Sequence, residues 1–144
     1  MGVDYTAYAV LGVKFSYEEF MKPFKRIEET RCCKHSEQKA KFCPECGKPM
    51  WKERDMSPDL YEIEEEFEKY GLEIVTDTDS YNVYVGMSTK KEAESYRDKG
   101  EAFKVVDDTD VLLRHLEARL FKKGLWSEEI ASRFGLWAVM YCSY

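Results

Sequence analysis

The chain has 144 residues, the length of one domain, with 44% hydrophobic, 35% charged and 15% aromatic residues and a net charge of -6. Ten Tyr, eight Phe and three Trp exclude a disordered chain, in which high charge accompanies few aromatics. The acidic balance argues against general nucleic-acid binding, which rests on Lys and Arg neutralising phosphates, and neither a signal peptide nor an apolar run of about 20 residues suggests secretion or a bilayer span.

The first predicted element is a strand from Asp4 to Phe15, rich in aromatic and β-branched residues, with Gly12 marking a bulge or a close-packing point. Ser16 and Glu19 then form a capping box. Tyr17, Phe20, Met21, Phe24 and Ile27 follow on one helical face. Pro23 conflicts with an unbroken helix, so this helix is either kinked or split into a short turn and a later segment.

Four of the five cysteines come next, within fifteen residues: Cys32, Cys33, Cys43 and Cys46, with His35 among them. An odd cysteine count with no signal peptide speaks against a secreted disulfide framework and for a reducing cytoplasm. In Phe42-Cys43-Pro44-Glu45-Cys46-Gly47, two thiolates two residues apart can reach one ion if the backbone turns tightly between them. Pro44 helps fix that turn, and Gly47 permits the left-handed backbone after the second ligand. The segment resembles the knuckle of zinc ribbons, which implies a local metal-binding turn. With Cys32 and His35 it makes a C-x2-H-x7-C-x2-C module, a Cys3His set suited to tetrahedral zinc. Cys33 could replace Cys32, or all four cysteines could bind without His35. A closed four-ligand site leaves no position for water, so one structural zinc per chain is expected. A redox dithiol would need a strand-then-helix context, and haem attachment would need His where Gly47 stands.

Beyond the module, Ser57-Pro58 reads as a cap with Pro at the first helical position. Leu60, Ile63, Phe67 and Tyr70 form the stripe of an amphipathic helix that ends at Gly71. Leu72–Thr76 and Tyr81–Met87 read as a hairpin, the second strand alternating Tyr81, Val83, Val85 and Met87. Thr89 to Glu92 is another capping box, opening a weak helix to Gly100, and Ala102–Val106 is a short strand. Asp108 or Thr109 caps a helix with Leu112, Leu113, Leu116 and Leu120 in its apolar stripe. A short helix starts at Ser127, and Leu136–Tyr144 is the last strand.

The order of elements predicts a single α+β domain over residues 1–144, a small mixed or antiparallel sheet covered by helices, with a zinc-knuckle insertion at 31–50. Both terminal strands are long and apolar. That predicts a central place for both, so that loss of the last strand unfolds the domain.

Charge is segregated along this frame. From Arg31 to Arg54, seven basic residues face three acidic ones, a local +4; from Asp55 to Ser80, ten acidic residues face Lys69 alone. Phosphate-binding Gly loops, G-x-S-x-G and H-E-x-x-H are absent. His115 reads as a helix residue at a core edge. The carboxylates of Glu62 to Glu68 read as a solvated face, and Cys142 as a buried strand thiol. The opening run Met1-Gly2-Val3-Asp4-Tyr5-Thr6-Ala7-Tyr8 resembles the start of uncharacterised small proteins of phages and large DNA viruses. That resemblance implies a viral origin and brings no activity. Met1-Gly2 with Thr6 also fits an acylation pattern, although a strand beginning at Asp4 favours a buried terminus.

The reading these features favour is a non-enzymatic binding or regulatory protein. Its zinc-stabilised arm presents Lys34, Lys39, Lys41 and Lys48 to a protein partner. The first alternative is nucleic-acid binding through residues 31–54, with Arg31 and the same lysines on phosphates and Phe42 or Trp51 stacking on bases. The second is an enzyme whose unfamiliar site gathers His115, Cys142 or the Asp-rich turns.

Overall fold

Alternation of apolar side chains along β1 (Asp4–Ser16) sends Tyr8 and Val10 to one face of a sheet and Val13 and Phe15 to the other, and all four are buried. The computed structural model describes residues 4–31, 41–44, 46–49, 51–77, 81–89 and 109–143. They fall into two compact units, residues 1–23 with 60–144, and residues 24–59.

The larger unit is α+β, built on a four-stranded antiparallel sheet in the order β4-β5-β1-β6, with β4 at Glu73–Thr76, β5 at Asn82–Ser88 and β6 at Gly135–Ser143. The first strand is central, as expected. The last is an edge strand among the described residues, which corrects the expectation that both terminal strands are central. A long apolar run does not distinguish the two positions. On β6, Leu136 is 70% and Met140 59% exposed while Val139 is buried, so apolar residues here mark both a covered and an open face.

On one face, Val13 and Phe15 lie opposite Val85 and Val83. The Phe20 ring of α1 (Tyr17–Met21) meets Phe15 at 5.5 Å, and meets Phe67 of α2 (Leu60–Glu68) at 6.3 Å. Both helices are thereby tied to the sheet by aromatic contact. Leu112, Leu116 and Leu120 are the buried stripe of α3 (Thr109–Lys122), which packs on β1 and β5; Ile130 of α4 (Glu128–Ser132) is likewise buried. The other face carries Tyr8, Val10, Val75, Tyr84 and Val139, with Trp137 packed against them.

Gly12 sits opposite both Gly86 on β5 and Gly135 on β6. A Cβ on Gly12 would lie 2.0 Å from the Val85 carbonyl oxygen, and one on Gly86 would lie 2.1 Å from that of Leu11. Two strands this close accept no side chain at either position. The Trp137 indole closes over the gap and donates its Nε1–H to the Gly12 carbonyl at 3.2 Å. The close-packing alternative for Gly12 is thus the observed one.

The predicted capping box at Ser16 is present, and Ser127, the predicted start of a short helix, is the cap of α4. Ser16 Oγ accepts from the Glu19 amide while the Glu19 carboxylate accepts from the Ser16 amide, and Ser127 Oγ accepts from the Ile130 amide. Other expectations need correction. The first helix stops at Met21, a 3-10 turn spans Lys22–Phe24, and Ile27 begins a strand, because Pro23 cannot continue the helix. Ser57 does not cap α2, which starts at Leu60; its hydroxyl instead accepts the Arg26 amide at 2.9 Å. Tyr81 lies outside β5, with a left-handed φ of 51°, and Tyr84 is buried along with Val83 and Val85, so both faces of β5 are covered. Thr89 pairs with Ala9 through its amide and hydroxyl, at 3.0 Å each. The helix and strand expected over 90–106 lie outside the described residues. No helix among the described residues is long and apolar enough to cross a membrane.

Candidate metal centre

Residues 24–59 contain an antiparallel ribbon of β2 (Ile27–Arg31) and β3 (Trp51–Asp55). Its base is closed by the Met56 amide, which donates to the Arg26 carbonyl at 2.8 Å. The Ser57 hydroxyl and amide also hydrogen-bond the Asp55 carboxylate and hold its pKa below the ordinary carboxylate value. Glu28 lies opposite Arg54, a favourable pair, whereas Glu29 lies opposite Glu53, an unfavourable one. Every residue of β3 is exposed.

Inside the ribbon's loop sits the knuckle. Phe42 and Pro49 form an antiparallel bridge, the Cys43 amide donates to the Lys48 carbonyl at 2.8 Å, and the Gly47 amide donates back to the Cys43 carbonyl at 2.8 Å. Gly47 has a φ of +70°, the left-handed conformation that the tight-turn reading requires. The hydrogen bonds linking Cys43 to Gly47 and Lys48 therefore close a reversal through which one ion could meet both sulfurs. Cys43 is 2% exposed and is the one buried residue among the described residues of this unit; Cys46 is exposed. Two thiols on a closed turn, in a unit whose described residues bury only Cys43, fit a soft-donor site for zinc.

The remaining candidate ligands, Cys32, Cys33 and His35, lie outside the described residues, as do Lys34 and Lys39. Among the described residues no group of three or more His, Cys, Asp or Glu side chains gathers as a metal site would need. Lys41 and Lys48 are exposed beside the knuckle. So are four large apolar side chains of this unit: Phe42 at 60%, Trp51 at 49%, Ile27 and Met56. Ile27 and Met56 were not legible as surface residues. Ile27 fell on the predicted helical stripe, and a lone Met carries no orientation signal.

Elsewhere, the His115 Nε2–H donates to the Tyr70 carbonyl at 2.7 Å. The Asp77 carboxylate accepts from the Asn82 amide and side chain and from the Tyr84 hydroxyl. These two groups serve local structure, His115 at the helix edge and Asp77 in its turn. The cleft between the ends of α2 and α3, lined by Glu66, Phe67, Tyr70, Arg119, Lys122 and Lys123, had no sequence signal, since it joins segments about fifty positions apart. No protein-family model, curated protein or solved structure matches the chain.

Proposed function

We propose that residues 24–59 are a zinc-stabilised binding module, and that the protein acts as a non-enzymatic binding or regulatory protein through it. The observation that carries this reading is the knuckle, with Cys43 and Cys46 on a turn closed by two backbone hydrogen bonds and a left-handed Gly47. Cys43, Cys46, Cys32 and His35 are the proposed ligands, with Cys33 as the alternate to Cys32. When bound, the ion supplies the cross-link that apolar burial does not, because the described part of the unit buries only Cys43. Thiolate ligation also requires a reducing compartment.

The partner proposed is a protein. Phe42, Trp51, Ile27 and Met56 are exposed within a segment that also carries Lys41 and Lys48, and aromatic and Met side chains beside cations suit a partner with apolar and acidic groups. One specific observation favours a second reading. Phe42 and Trp51, the two rings expected to stack on bases, are both open to solvent, which supports nucleic-acid binding through the same module. Salt separates the two: phosphate contacts predict affinity that falls steeply with salt concentration, and a largely apolar protein contact does not.

Elemental analysis of protein purified without added zinc tests the module itself. One zinc per chain is expected, and stoichiometric absence of metal, with a fold unaltered by chelators, overturns the reading.

A further inference from the structure

Both helices that flank the cleft end in the same way. Gly71 and Gly124 have φ values of +72°. The amides of Leu72 and Leu125 donate back to the carbonyls of Phe67 and Leu120, and those of Gly71 and Gly124 to Glu68 and Phe121. These are Schellman motifs, so the last-turn carbonyls they engage are bonded within the caps. That matters for charge. Cations gather at helix C-termini for dipole reasons, but here these carbonyls already have N–H partners.

The cleft between the two ends is open to solvent and is lined by Glu66, Phe67, Tyr70, Arg119, Lys122 and Lys123. Three cations against one carboxylate leave a local excess of two positive charges. Lys123 is ion-paired with Glu66. The Arg119 guanidinium stacks over the Tyr70 ring at 3.7 Å, and the Tyr70 backbone is in turn held by His115. Stacking fixes the plane of the guanidinium without engaging its five N–H donors, and no acceptor for them is found among the described residues. Lys122 likewise makes no ion pair among the described residues. Two cations without anionic partners thus lie against an aromatic wall.

We propose that this cleft binds the phosphate group of a small soluble phosphate ester, with Arg119 as the forked donor and Lys122 as the second cation. Phosphate rather than a monoanion is the match because a phosphate monoester carries nearly two negative charges at neutral pH, equal to the local excess. Arg supplies the planar fork that phosphate oxygens accept, and the ring beneath it holds the fork in place before the ligand arrives. The site lies wholly outside residues 24–59, so it stands or falls independently of the zinc module.

Calorimetric titration of the full chain with phenyl phosphate and with sodium acetate tests the proposal. Saturable 1:1 binding of phenyl phosphate is expected, with acetate at least about tenfold weaker and with affinity falling as salt rises. Arg119→Gln and Lys122→Gln should each weaken binding by roughly tenfold, and Arg119→Lys should fail to restore it because the stacked fork is lost. Unchanged thermal transitions would show that these variants remain folded. Two results overturn the proposal: no saturable heat with wild-type protein at millimolar ligand, or equal binding by wild type and a folded Arg119→Gln, Lys122→Gln double variant.

Discussion

The two units of this chain are held together by different physics. In the larger one, Val10, Val13, Phe15, Phe20, Leu116 and Leu120 have no exposed surface, and each fully buried side chain of this size contributes about 1.5–3 kcal/mol. In residues 24–59 every residue of β3 is exposed, one cross-strand pair sets Glu29 against Glu53, and the buried side chain among the described residues is a thiol. A two-stranded ribbon alone is marginal in water. One short chain thus carries a unit stabilised by burial and another whose described residues bury a single side chain, a difference that composition averages conceal.

Removal of β6 should have the largest effect on the larger unit. Nine residues of β6 pair with β1, Val139 fills the second core cluster, and Trp137 covers Gly12. A chain ending before Gly135 is expected to lose its cooperative thermal transition, as followed by circular dichroism, while the ribbon still takes up zinc. Cys43→Ser should do the reverse. Hydrogen-exchange protection over 24–59 is expected to disappear on this substitution or on chelation, with the midpoint of the main unfolding transition hardly moved. Leu116→Ala, at a fully buried position, should cost the larger unit about 2–5 kcal/mol in urea unfolding and leave zinc content unchanged.

How far these units were legible beforehand depended on whether the signal was local. The caps at Ser16 and Ser127, the Leu112/Leu116/Leu120 stripe and the left-handed Gly47 each have a cause within a few residues, and each is present. Ile27 falls on the helical stripe only if the helix runs past Pro23, where the backbone cannot continue it. Ser57-Pro58 carries a genuine helix-start pattern, yet the hydroxyl is taken by Arg26, thirty-one positions away. The edge place of β6 and the cleft at Arg119 are products of tertiary pairing, which no periodicity within a segment encodes.

Two smaller effects sharpen the contrast. Gly47→Ala forces an L side chain into a left-handed position with open space around it, so the expected cost is about 1–2 kcal/mol, confined to the ribbon unit and read as weaker zinc retention. In the larger unit, burial pushes the Tyr84 phenol above the ordinary tyrosine range, and the neighbouring Asp77 carboxylate adds to the shift. The neutral phenol is the form the fold favours. Its contribution is therefore complete below about pH 10 and is lost as pH rises through the raised value. Tyr84→Phe should remove that alkaline loss and cost about 1 kcal/mol or less at neutral pH, measured by urea unfolding across the alkaline range.

The pairing of β1 with β6 also sets a timetable. The indole of Trp137 bonds a carbonyl 125 positions earlier, so at ribosomal speeds of about 5–20 residues per second Gly12 waits roughly 6–25 s for that partner to be synthesised. During that interval β5 becomes available to one edge of β1 once residue 88 is made, while the other edge still waits for β6. The β2–β3 ribbon is complete earlier, once residue 55 is made. If residues 24–59 hold zinc as proposed, the newborn chain acquires it before its main sheet is complete, and a cell short of zinc meets the consequence at the ribosome.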